Sequence, residues 1–316
     1  MAASLRALTG IAAPRGARAC PTHSGRACNP PRPFGGQPLR CDAGTDGIYA
    51  APRVDSLAVC RATSDDVPVP SSKEEAIAQA CAALEAQMRP SKKERRAGRK
   101  KGFAGAAAKK LALEIPVLDD SPGALAELAG DLLDGARGGD FTVAVCGGHA
   151  EAFSGRLGKR AVSIEDAVAD PPGGDVLVVA PGLADLEDVE ELARQSRGAA
   201  LVLLNAGWDT EHPPEEHRAF VRSFKVVYSF LPLQVQLVMV TQEGAVLKCA
   251  LDGSPDAAPW RTFVVRGGVH EQVGRMTKRP TSEDIELIMV NASAAQSPIN
   301  QGIKGARGFL DRLTGK

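Results

Sequence analysis

The sequence predicts an α/β protein: a mostly parallel, Rossmann-like sheet with flanking helices, followed by an antiparallel β-meander and C-terminal helices. Three observations predict it. Apolar runs such as Asp175-Val-Leu-Val-Val-Ala180 and Ala200-Leu-Val-Leu-Leu204 are too short for buried helices and suit strands covered on both faces. Segments with helical apolar spacing separate these runs, the alternation of βαβ units that builds a parallel sheet. Beyond Leu233 short strand-like runs follow one another between turn signals, as in a meander.

Taken in order, Ser71-Ser-Lys-Glu-Glu75 opens a helix with a capping residue and acids in its first turn. Ile77, Ala80, Cys81, Leu84 and Met88 recur at helical spacing, and Pro90 ends it. Leu111-Ala-Leu-Glu-Ile115 reads as the first strand of the main domain. Ser121-Pro122 starts a helix whose buried stripe is Leu125, Leu128, Leu132 and Leu133. Phe141-Thr-Val-Ala-Val145 is a strand, Ala161-Val-Ser-Ile164 a short one near an edge, and residues 185–195 an acidic helix. After the strand at 200–204 come the loop Asn205-Ala-Gly-Trp-Asp209, an amphipathic segment at 215–224 and a strand at 225–231. The meander is expected at 236–241, 245–251, 260–265 and 271–276, with turns at Glu243-Gly244, Asp252-Gly253 and Gly267-Gly268. Thr281 caps a helix, and residues 303–313 read as a closing basic amphipathic helix.

Formal net charge is zero, yet the charge is segregated. Residues 1–62 hold eight Arg, three Asp and neither Lys nor Glu, and no acid precedes Asp42. An Arg-rich, acid-poor N-terminus is the composition of an organellar transit peptide. Val59-Cys-Arg-Ala62 resembles a plastid processing site, which gives three parts: a transit peptide at 1–62, an N-terminal helix and basic linker at 63–110, and one α/β domain at 111–316. The linker carries a basic run from Lys92 to Lys101, suited to a thylakoid surface or an acidic partner protein. It lacks the interleaved aromatics of a single-strand stacking surface, which argues against nucleic acid. No apolar run approaches the roughly 20 residues a membrane span needs, so no transmembrane segment is expected.

Four of the seven cysteines lie in the leader. The remaining Cys81, Cys146 and Cys249 are widely spaced and support neither a disulfide framework nor a zinc site. In open α/β sheets ligands sit outside the carboxyl ends of the strands. Those ends supply Gly147, Gly148 and His149 at one loop and Asn205, Trp208 and Asp209 at another, the candidate ligand-binding residues. They suit a small anion or a nucleotide, although neither phosphate-loop pattern, G-x-G-x-x-G nor G-x-x-x-x-G-K-[ST], is present. The plainer alternative has Asn205 and Asp209 forming Asx turns and Trp208 packing at the sheet edge. No catalytic set, cofactor motif or metal-ligand spacing is complete.

Val202-Leu-Leu-Asn205, Trp208-Asp209, Gly244-Ala-Val-Leu-Lys-Cys249, Pro259-Trp-Arg261 and Asn291-Ala-Ser-Ala-Ala-Gln-Ser-Pro298 occur together and in order. So does Phe220-Val-Arg-Ser-Phe-Lys-Val-Val-Tyr-Ser-Phe230. These phrases resemble a domain of unknown function of oxygenic phototrophs. It is found in low photosystem II accumulation protein 3 and at the C-terminus of a chloroplast adenylate kinase. The resemblance covers residues 111–313 and implies an auxiliary protein of the chloroplast stroma or its thylakoid surface that binds photosystem II assembly components. It implies no catalytic residues.

Overall fold

The computed structural model describes residues 4–7, 63–89, 109–136, 140–196, 200–209, 212–237, 240–252 and 254–294. The basic run from Lys92 to Lys101, the processing site at Ala62 and the closing helix at 303–313 lie outside the described residues.

A short strand, β1 (Ser4–Ala7), comes first. Six strands then run parallel: β2 (Lys110–Glu114), β3 (Thr142–Val145), β4 (Ala161–Ser163), β5 (Val176–Val179), β6 (Leu201–Leu204) and the beginning of β7 (Lys225–Leu237). The antiparallel strands β8 (Val240–Cys249), β9 (Trp260–Arg266) and β10 (Val269–Met276) continue the same sheet. The spatial order is β10-β9-β8-β7-β2-β6-β5-β3-β4, with β1 paired to the far half of β7. A mixed α/β sheet with flanking helices and antiparallel strands at its C-terminal end is therefore present. Its parallel strands do not follow the 3-2-1-4-5-6 order of dinucleotide-binding sheets. Here β2 is inserted between β6 and β7 instead of lying beside β3.

Two helical layers cover the sheet. On one face α1 (Lys73–Met88), α2 (Pro122–Gly135) and α3 (Ala150–Leu157) pack on Leu111, Leu113, Val143, Leu177 and Val202. On the other, α4 (Ile164–Ala169), α5 (Leu186–Gln195) and the single-turn α6 (Arg218–Val221) pack on Ala112, Ala144, Val176, Val178 and Leu203. Adjacent strand residues thus enter opposite cores, which is why these strands read as unbroken apolar runs. The helix α7 (Ser282–Ala294) covers the meander on the second face through Ile285 and Met289. Ser72 and Ser121 cap α1 and α2 from their side chains, with Pro122 opening the second helix, as their sequences predict.

Three expectations are corrected. The strand expected at 236–241 is instead the hairpin end where β7 meets β8, Gln236 pairing with Thr241 and Leu237 with Val240. The strand expected at 225–231 does not stop before Pro232 but runs on to Leu237. Pro232 falls between the pairing with β2, which ends at Ser229, and that with β1, which begins at Leu233. No ladder on that side needs its missing N–H. The turn expected at Glu243-Gly244 is instead the middle of β8. A Cβ on Gly244 would stand 2.3 Å from the carbonyl oxygen of Phe263, so glycine is there to let two strands approach. The Gly267-Gly268 turn is present, both residues having positive φ (55° and 79°), which suits a two-residue hairpin.

Candidate functional site

The carboxyl ends of the parallel strands form one rim. Val145, Val179, Leu204, Leu113 and Tyr228 are linked by the strand registers, and the residue after each begins the rim. The chain leaves β2 and β3 toward the α1–α3 face and leaves β5 and β6 toward the opposite one. Adjacent β3 and β5 therefore send their connections apart, over opposite faces, which opens a crevice between Gly147–His149 and Pro181-Gly182.

Gly147 and Gly148 both adopt left-handed backbone (φ 71° and 72°), a pair of conformations that other residues resist. They carry the chain from β3 into α3, where His149 is the N-cap residue without a side-chain capping bond and is exposed. Cys146, one residue earlier, is buried in the opposite core. Burial raises its thiol pKa first, and the carboxylates of Asp185, Glu165 and Asp188 add to the effect. The thiol is thus held as a neutral core group, and the local field is negative. Asp185 also accepts from the N–H of Gly182 at 2.8 Å, so the acid at this helix start is already bound.

The second loop is tied into the fold. The Asn205 amide makes two hydrogen bonds across to β2: Oδ1 accepts from the N–H of Ile115 and Nδ2 donates to its carbonyl, each at 2.8 Å. Its backbone sits at φ 52°, where asparagine is among the few tolerated residues. Gly207 donates to the carbonyl of Pro181 at 2.9 Å, joining the two loops. Trp208 is buried in the core with Leu186 and Phe220. Asp209 accepts from the backbone N–H of His212 at 3.1 Å and faces its Nδ1 at 3.2 Å. The structure thus places Asn205 in a cross-sheet brace to Ile115, Asp209 in a local turn with His212 and Trp208 in packing. Gly147, Gly148 and His149 stand on the exposed side of the crevice.

The sequence reading missed a cavity of about 530 Å³ between α5 and α6, near the amino end of β2. Lys110, Glu187, Glu190, Arg194, His217 and Phe220 contribute to its lining. His217 Nδ1 lies 2.9 Å from a Glu190 carboxylate oxygen, and Lys110 Nζ is 4.6 Å from the Phe220 ring centroid. Arg194 pairs with Glu191 and His217 with Glu190, and the cavity stands at the opposite end of the sheet from the rim.

A family described as a domain of unknown function, DUF1995, matches residues 70–287, more than half of the chain. The chain belongs to the DUF1995 family. The match takes in α1, whose Ala76, Ile77, Ala80 and Leu84 share a core with β2, β7 and β8. No curated protein and no solved structure matches the chain.

Burial also pushes the other two described thiols of this DUF1995 domain up to about 12, Cys81 and Cys249 alike. A folded-state value above the ordinary 9.0 stabilises the protein fully below about pH 9. That contribution is lost as pH rises toward about 12. Between about pH 8 and pH 10 each such thiol should cost on the order of 1 kcal/mol of stability. Urea unfolding of wild type and Cys249→Ala at both pH values checks this, since the comparison cancels the other titrating groups. The variant should lose less stability than wild type over that interval, by on the order of 1 kcal/mol.

Proposed function

We propose that this DUF1995 protein is a soluble auxiliary protein of the chloroplast stroma that supports photosystem II biogenesis by binding other proteins. The observation that carries the reading is a family domain at 70–287 preceded by an Arg-rich leader with no acid before Asp42. The phrases shared with the domain in low photosystem II accumulation protein 3 support the photosystem assignment. So does the basic run from Lys92 to Lys101, which suits peripheral contact with an anionic thylakoid surface. The rim favours binding over bond-making chemistry: Asn205 and Trp208 hold the fold together, and Cys146 is kept neutral. On the meander side α7 leaves Leu287 and Val290 exposed one turn apart, an apolar footing of the kind protein contacts use.

Affinity purification of the tagged mature protein from plastids tests the reading. Photosystem II assembly components should co-purify, and they should be depleted when residues 92–101 are neutralised. Recovery of the bait alone would count against it.

A second reading, a small anion or nucleotide held by Gly147, Gly148, His149, Asn205, Trp208 and Asp209, has the crevice between β3 and β5 in its favour. The acids around Cys146 oppose it, because they would repel a phosphate at that edge. If Trp208→Phe and Asp209→Asn leave ligand-induced melting shifts untouched, this reading fails.

A further inference from the structure

The rim continues past the predicted site, and there its charge reverses. In the row one residue beyond Leu113 and Tyr228, Glu114 of β2 pairs with Ser229 of β7, and Ser229 with Lys248 of β8. Trp260, at the start of β9, completes the row. All four side chains point to the second face, in the gap between the core under α5 and α6 and the core under α7. Ser229 Oγ donates to Glu114 Oε2 at 2.6 Å. Arg279, arriving from the segment after β10, places Nη1 2.5 Å from Glu114 Oε1.

Trp260 has a cation at two positions on its ring. Lys248 Nζ lies 5.1 Å from the indole centroid and the Arg279 guanidinium carbon 5.3 Å. Lys225 and Asp256 flank the cluster and pair with each other at 3.0 Å. Three cations thus meet two carboxylates: Lys225 with Asp256, Arg279 with Glu114, and Lys248 in surplus. Lys248 is only 5% exposed, so its aliphatic stem is buried, while its ammonium keeps contact with solvent and among the described residues has no hydrogen-bond acceptor. The Trp260 ring face replaces part of the hydration that the stem's burial removes. Burial lowers its pKa, with Lys225 and Arg279 adding to that and Asp256 and Glu114 opposing it.

Among the described residues no carboxylate or carbonyl accepts from the Lys248 ammonium, which leaves its donors to water or to a ligand. The donors left over here are specific. Lys248 has three N–H groups and Arg279 has those not turned to Glu114, both cations lie over the Trp260 ring, and the Arg279 and Lys225 side chains are partly exposed. Glu114 and Ser229 fix Arg279 and close the floor.

We propose that Lys248 and Arg279, set around Trp260 and backed by the Glu114–Ser229 pair, form a binding site for the oxyanion group, carboxylate or phosphate, of a small ligand. The site lies on β8 and β9, away from the acid-lined crevice at β3 and β5, and it stands whether or not the photosystem reading does. Within Ala245-Val-Leu-Lys-Cys-Ala250 Lys248 is the one charged residue among apolar neighbours.

The test is thermal melting and calorimetric titration of the full chain with inorganic phosphate and with acetate, against chloride at equal ionic strength. Wild type should be stabilised in a saturable way by at least one of the two oxyanions. Lys248→Met should bind that anion at least about tenfold more weakly, because an ammonium–oxyanion contact is lost. It should still fold, since methionine keeps the buried apolar stem and the side-chain volume. Lys225→Met combined with Asp256→Asn, which removes the flanking pair and keeps the surplus charge, should bind like wild type. Response to phosphate alone identifies a phosphate-bearing ligand, and response to acetate alone a carboxylate. Equal response of wild type and Lys248→Met, or no response beyond chloride, overturns the site.

Discussion

Arg261→Met should destabilise the protein by about 3 kcal/mol, seen as a lower urea midpoint with an unchanged slope. Arg261 is 3% exposed. It donates to the carbonyls of Asp65 and Val67 at 2.7 Å each. Its planar fork thereby staples the segment that precedes α1 onto β9, with the guanidinium 5.4 Å from the Phe263 centroid. Burial lowers its pKa, and its Nε is a buried donor with no partner, so the residue is costly to bury. Removing it recovers that cost but leaves two carbonyls without donors, and the second effect dominates when one partner alone is deleted. Ser64 Oγ bonded to Asp252 and Gln79 bonded to the carbonyl of Pro68 continue the same attachment. Limited proteolysis should therefore show faster cleavage at residues 63–72 in the variant. A midpoint within experimental error of wild type would contradict this role.

Asn205→Ala should cost a similar amount, about 3 kcal/mol, by chemical denaturation. The substitution strands the N–H and carbonyl of Ile115 and puts a β-carbon-bearing residue without a helpful side chain at φ 52°. Asn205→Gly separates the two contributions: it relieves the backbone and keeps the loss of both hydrogen bonds. It should recover about 1 kcal/mol relative to alanine. If Asn205 instead served a ligand, both variants would keep wild-type stability.

These residues show where sequence is informative and where it stops. The four-residue strands β5 and β6 are legible because both faces of each are buried, which leaves an unbroken apolar run. The helices α1 and α2 are legible from capping serines and stripe spacing, and the hairpin after β9 from two adjacent glycines. The insertion of β2 between β6 and β7 is not legible, because parallel pairing joins residues about 90 positions apart with no local mark. Proline suggested a stop at 232 and glycine a turn at 244; the pairing partners of β7 and β8 decide otherwise. The short helix α4 was missed because six residues give no full period of apolar spacing.

At the candidate site, composition picked out the strand ends but could not tell a ligand group from a brace. Asn205 has the residue type of both, and only its two bonds to Ile115 decide. The Glu114–Lys248 row was invisible for a different reason. Its members come from four strands and a loop, and only the register of β2, β7 and β8 brings them together.

The proposed role in photosystem II biogenesis is tested by photosystem II content in a line of the source organism lacking this protein. Reduced photosystem II with photosystem I retained, restored by reintroducing this chain, is the expected result. Photoautotrophic growth with unchanged photosystem II content would contradict it.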